Sequence, residues 1–279
     1  CDALAIDAAA RIADAGIATP VLIGPPEAIR RAADAAGVDH RDYEIVDAGS
    51  VAADAAVRAV EMARDGGLAA LMKGSLHTDA LMSAVVHKTK GLRAATRISH
   101  VFLFDLPRYP KLLAVADCVV NIAPALAAKR DIVGNAVALL QSIGIGTPKV
   151  AVIAAIEKVN AAIAATLDAQ ALVAMSHDGA WPGATVEGPL GFDIAISAEA
   201  ACLKGVESQV AGDVDLLIVP DLNAGNILYK SFVYVGGGEC AGLVLGTSVP
   251  VVLTSRADSL AARLASAALA VLAIEVSQG

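Results

Sequence analysis

Apolar residues recur along the chain in two alternating patterns. Short runs of β-branched and aliphatic residues are separated by longer Ala-rich stretches with apolar positions at helical spacing. The runs predict strands over 19–23, 43–46, 68–72, 98–106, 118–122, 149–155, 215–219 and 249–253. The stretches between them predict helices, among them one from the Pro25-Pro26 pair through Ala36, then 51–64, 78–88 and 126–142. A closing amphipathic helix runs to about 276. The segment Val150-Ala151-Val152-Ile153 has no polar face, which suits a strand covered on both sides. Strands alternating with helices in this way build an α/β fold with a largely parallel sheet. No Pro/Gly/Ser-rich linker or charge run divides the chain, and Gly236-Gly237-Gly238 reads as a turn after a helix. Two domains would therefore be intertwined, with a ligand in the crevice at the carboxyl ends of the strands.

Composition narrows the classes. Hydrophobic residues reach 56% of the 279 but aromatics only 3%, so Ala, Val, Leu and Ile carry the core. Such a chain is not disordered. The apolar run 264–274 is too short to span a bilayer, so a soluble protein with no membrane partner is expected. Net charge is −8 with no basic stripe, which argues against nucleic acid but leaves room for an anionic ligand where a few cations converge. Cys1, Cys118, Cys202 and Cys240 show no C-x-x-C spacing, and the five histidines show no metal-ligand spacing. The cysteines read as small buried hydrophobes in a reducing cytoplasm, and no metal is expected. Asp2 and Asp7 stand where a signal peptide would be basic, and a start at Cys1 predicts residues upstream.

Candidate chemistry gathers at strand ends. After 249–253 come Thr254, Ser255, Arg256, Asp258 and Ser259, where hydroxyls and helix-start amides make an anion seat and Arg256 a bidentate donor. The bland alternative is a cap by Ser255 or Asp258 with Arg256 solvated. After 215–219 comes Asp221-Leu222-Asn223-Ala224-Gly225-Asn226, in which Gly225 permits close approach of a ligand; a capped turn is the alternative. Lys73 follows 68–72, more simply read as exposed than as a phosphate lysine. Asn121 is expected to close a strand, and 186–193 reads as a bent loop before a helix that Asp193 could cap. Neither G-x-S-x-G nor G-x-G-x-x-G occurs, which disfavours a serine hydrolase and a standard dinucleotide binder.

Five ordered blocks carry a resemblance: LMKGSLHT (71–78), DCVVNIAP (117–124), VEGPLGFDIAIS (186–197), VAGDVDLLIVPDLNAGNILYKSFVY (210–234) and AGLVLGTSVPVVLTSRADS (241–259). Over nearly the whole chain they resemble the phosphate acetyltransferase and phosphate butyryltransferase family. The resemblance implies two three-layer α/β/α domains with largely parallel sheets and a cleft between them. Residues 1–128 plus 247–279 would form the first and 129–246 the second. It implies reversible acyl transfer between acetyl-CoA and inorganic phosphate, with coenzyme A as substrate, no other cofactor, and a homodimer. Ser255 and Arg256 match the family's Ser-Arg pair. Asn223, Gly225, Asn226, Tyr229 and Lys230 match its Asn-x-Gly-Asn-x-x-Tyr-Lys block, and Asn121 its strand-end Asn. Many acetyltransferases of the family place an Asp, base for the thiol, seven residues after the Ser; here that position is Ala262, which leaves Asp258 as the nearest carboxylate. Ser83 stands where the family often has Arg. TSR followed closely by Asp also fits the butyryl branch, making phosphate butyryltransferase the second reading. TSRADS and KGSLHT further resemble the transacetylase half of bifunctional proteins with an upstream enoyl-hydratase-like domain. A non-catalytic acyl-CoA-binding module, and a metal- and NAD-dependent hydroxy-acid dehydrogenase using Asp213 and Asp215, are the remaining alternatives.

Overall fold

The computed structural model describes residues 2–253, 255 and 258–277, which form a mixed α/β fold with mostly parallel strands. Its chain contacts divide it into two units, one of residues up to Ala95 together with those from Ala241 on, the other Thr96–Cys240. These boundaries differ from the expected 128/129 and 246/247. Strand pairing explains the first difference. β4 (Ser99–Asp105) pairs antiparallel with β5 (Leu113–Ala116), and β5 pairs parallel with β8 (Leu216–Ile218), which ties residues 96–128 to the second unit.

In the first unit, α1 (Ala3–Asp14) and α2 (Pro26–Ala36) pack through Ile6, Ile29, Ala32 and Ala33 beside the parallel pair β1 (Val21–Gly24) and β2 (Glu44–Asp47). α3 (Ala52–Arg64) leads to β3 (Leu71–Met72) and α4 (Thr78–Val85). β10 (Val251–Val252) lies parallel to β3 and antiparallel to β9 (Glu239–Leu245), and α10 (Leu260–Ser277) closes the chain. Register pairs Val251 with Leu71 and Val252 with Met72, so the segments after β3 and β10 leave the sheet side by side.

The second unit orders its strands β4-β5-β8-β6-β7, with β6 (Lys149–Ile153) and β7 (Thr185–Leu190) parallel to β5 and β8. Alternate residues of a strand face opposite sides. Phe102, Phe104, Leu113, Val115 and Leu217 meet α7 (Phe192–Ile196), α8 (Ala198–Leu203) and α9 (Leu222–Tyr234) on one face. Val101, Leu103, Ala114, Ala116, Leu216 and Ile218 are buried on the other, where α5 (Leu126–Ser142) packs on β4, β5 and β8. α6 (Ala164–His177) covers β6 and β7.

Three expectations change here. Residues 118–122 are not a strand; β5 ends at Ala116, because Asp117 Oδ1 accepts from the amides of Val119 and Val120 at 2.8 and 2.9 Å and bends the chain. Of residues 186–193, whose Gly and Pro suggested a loop, 186–190 belong to β7 instead. The N-cap of α7 is Gly191; Asp193 sits inside its first turn and pairs with Lys204 at 2.9 Å. Among the described residues no helix is long and apolar enough to cross a membrane.

Candidate active site

In the first unit four side chains gather where β3 and β10 end. The amide of Lys73 donates to the carbonyl of Val252 at 2.9 Å, extending the ladder one step and fixing where the lysine leaves it. Lys73 is buried rather than exposed, and its Nζ lies 3.3 Å from the carbonyls of Gly74 and Leu76. Ser255 is exposed; its amide donates to Asp258 Oδ2 at 2.6 Å, and its carbonyl accepts from Arg263 Nη2 at 2.8 Å. The cap of α10 is Ser259, whose Oγ accepts from the Ala262 amide at 3.0 Å, and not Ser255 or Asp258. Thr254 and Arg256 lie outside the described residues.

Asp258 is half-buried, and that burial pushes its carboxyl above the ordinary aspartate value. The Ser255 amide, Arg263 and Lys73 pull it back only in part. A helix start by itself would make this carboxylate a weaker base; desolvation reverses the sign. Ala262 is buried on α10, and the buried Arg263 follows it. No local pattern marks Arg263, which sits inside a helix among alanines and leucines.

In the second unit the ends of β5 and β8 lie together, joined by Val219 N to Ala116 O at 2.9 Å and Leu222 N to Ile122 O at 3.0 Å. Asp117 and Asn121 are buried there. Asn121 spends its amide hydrogens on Asp117 Oδ2 (2.6 Å) and the Ile98 carbonyl (2.9 Å), and its Oδ1 accepts from Arg97 Nε at 2.5 Å. Asn121, expected to close a strand, lies instead in the bend after β5, where it orients Arg97, a residue that the sequence reading passed over. Asp221 caps α9 through the Ala224 amide at 3.0 Å, and Asn226 Nδ2 reaches the Cys118 carbonyl at 3.4 Å. Gly225 admits no ligand: a Cβ there would sit 2.7 Å from the Asp117 carbonyl and 2.9 Å from Val219 Cγ2. What approaches it is the chain's own backbone. Tyr229 stacks on Phe102 with ring centroids 4.2 Å apart, whereas Asn223 and Lys230 lie on the exposed face of α9.

Below them His100 is fully buried, edge-on to Phe102 at 4.4 Å, and neither ring nitrogen has a hydrogen-bond partner among the described residues. Burial lowers its pKa to about 4 against the opposing charge of Asp117. Burial pushes the Cys118 thiol up, so it is not a ready nucleophile. Asp213 and Asp215 are engaged by Lys111, at 2.7 Å each, and Lys149 lies 2.6 Å from Asp213. Among the described residues no three His, Cys, Asp or Glu side chains gather as metal ligands.

A family model described as phosphate acetyl/butaryl transferase matches residues 38–271. The chain belongs to this family. Lys73, Asn121, the α9 block and the Ser255–Arg263 segment all fall inside the match, and α1 falls outside it. The chain is 48% identical to a phosphate acetyltransferase of Rhizobium meliloti over 272 residues, 98% of this chain and 86% of that one. It is 42% identical to a phosphate butyryltransferase of Clostridium acetobutylicum over 257 residues, 92% of this chain and 85% of that one. The crystal structure of a branched-chain phosphotransacylase from Enterococcus faecalis V583 superposes with a TM-score of 0.77 at 34% identity, covering 85% of this chain and 84% of that one.

Proposed function

We propose that this member of the family is a phosphate acetyltransferase, interconverting acetyl-CoA plus phosphate with acetyl phosphate plus CoA, as a cytoplasmic homodimer. The observation that carries the reading is the Ser255–Asp258 contact of 2.6 Å beside buried Lys73, where two strand ends meet. Towards acetyl-CoA, the CoA thiol gives its proton to Asp258, and the thiolate attacks the carbonyl of acetyl phosphate. The C–S bond forms, the C–O bond to phosphate breaks, and phosphate leaves. The thiolate is the competent nucleophile, so a carboxylate made more basic by burial suits the step. The Ser255 hydroxyl and neighbouring amides are assigned to the developing oxyanion, and Lys73 and Arg256 to the phosphate. Asn121 acts by orienting Arg97; Asn226 and Tyr229 pack the α9 wall, and Asn223 and Lys230 are assigned to CoA. Burial keeps the Cys118 thiol from serving as an acyl carrier, and the step is written as direct transfer between the two substrates.

The identity to the Clostridium protein and the Asp close behind TSR are consistent with butyryl as the second reading. Release of free thiol from acetyl-CoA and from butyryl-CoA, each with and without phosphate, separates the two. Phosphate-dependent release from neither would refute both.

A further inference from the structure

Arginine is an expensive residue to bury, and Arg263 is only 4% exposed. It also sits near the start of α10, where the helix dipole opposes a cation. Its amide makes an ordinary helical bond to the Ser259 carbonyl at 3.2 Å, so the helix itself does not require a guanidinium there. The side chain turns back to the segment before the helix, where Nη2 meets the Ser255 carbonyl at 2.8 Å. One residue is thereby gripped from both sides. Asp258 holds the amide of Ser255, and Arg263 holds its carbonyl. An exposed serine between a strand and a helix would otherwise sample many backbone states, and proximity catalysis is sensitive to displacements of about 1 Å. Among the described residues, the charged groups facing Asp258 are Lys73 from the segment after β3 and Arg263 from α10.

We propose that Arg263 is a positioning residue for acyl transfer, clamping the Ser255 backbone against Asp258 and placing a buried cation beside that carboxylate. The inference rests on the acyltransferase reading, with Ser255 and Asp258 as the reacting groups. Its electrostatic half is nevertheless open to measurement without turnover. Arg263→Lys keeps the charge and loses the planar donor fork. Arg263→Met loses both at similar length.

Thermal unfolding first establishes which variants fold. The Asp258 carboxyl is then titrated by carbon NMR, its signal assigned with Asp258→Asn, and steady-state rates are taken across pH. Arg263→Met is expected to raise the carboxyl titration and move the acidic limb of the rate the same way, since a lost neighbouring cation favours the protonated acid. Arg263→Lys is expected to leave the titration near wild type, and to lower kcat about ten- to a hundredfold with KM little changed. An unchanged carboxyl titration in folded Arg263→Met, or a wild-type kcat in Arg263→Lys, overturns the proposal. Should Arg263→Met not fold, kcat in Arg263→Lys decides alone. A wild-type chain that releases no thiol while the Asp258 titration still follows Arg263 refutes the acyltransferase reading and not the charge coupling.

Discussion

Asp258 is pulled in two directions, upward by burial and downward by the Ser255 amide, Arg263 and Lys73, and burial wins. As a base it must be ionised, so the rate should fall as pH drops through a point above the ordinary aspartate range. Asp258→Asn keeps the size and removes the base. It is expected to cut the CoA-thiol reaction by about 10²–10⁴-fold. Full activity from pH 6 to about 9 in that variant, with unchanged Tm, would make Asp258 purely structural. His100 supplies a second titration, read in stability. Its folded value of about 4 lies below its ordinary 6.5, so unfolding takes up a proton between these values. Stability from this site is present above 6.5, declines as pH falls towards about 4, and changes no further below. The whole contribution is about 3 kcal/mol. Denaturant unfolding of wild type and His100→Leu at pH 7.5 and at about 4.5 should show a smaller acid loss in the variant; parallel losses would refute the assignment. The TSRADS hydroxyls and acid were legible as candidate chemistry because residue types and order carry them. The direction of the Asp258 shift was not, since it depends on which atoms cover the carboxylate.

At the scale of elements, α5 occupies the predicted 126–142 and β6 begins at the predicted 149, because long apolar periodicity and a continuous apolar run are strong local signals. The run 118–122 misled for a local reason too. Its Val and Ile residues favour a strand, but the Asp117 side chain offers the Val119 and Val120 amides an alternative partner. Gly225 belongs to this scale. It lets the first turn of α9 press against Asp117 and Cys118, so Gly225→Ala must separate the helix from the turn that holds Asn121. Overpacking of this kind costs about 1–3 kcal/mol. Urea unfolding is the check, and a midpoint equal to wild type would show that the turn moves freely. Activity should fall with it, through Asn121 and Arg97, even where the protein remains folded.

For the whole molecule, the proposed homodimer predicts twice the 28.1 kDa chain mass in light scattering, and a monomer that is fully active would contradict it. Acetyl-CoA should be favoured over butyryl-CoA in kcat/KM by about tenfold or more, since each methylene is worth roughly 1–3 kcal/mol in a pocket of fixed size; the reverse order would select the butyryl reading. The amino-acid order alone determined the α/β class, through its alternation of apolar periods. Its ordered blocks also determined the family, because side-chain chemistry at strand ends survives as a readable string. Only the tertiary structure decided that residues 96–128 pack with the second unit, that Lys73 is buried, and that Arg263 reaches back to Ser255. Each of these depends on a strand register or a contact between segments distant in the chain, and a linear pattern holds no term for either.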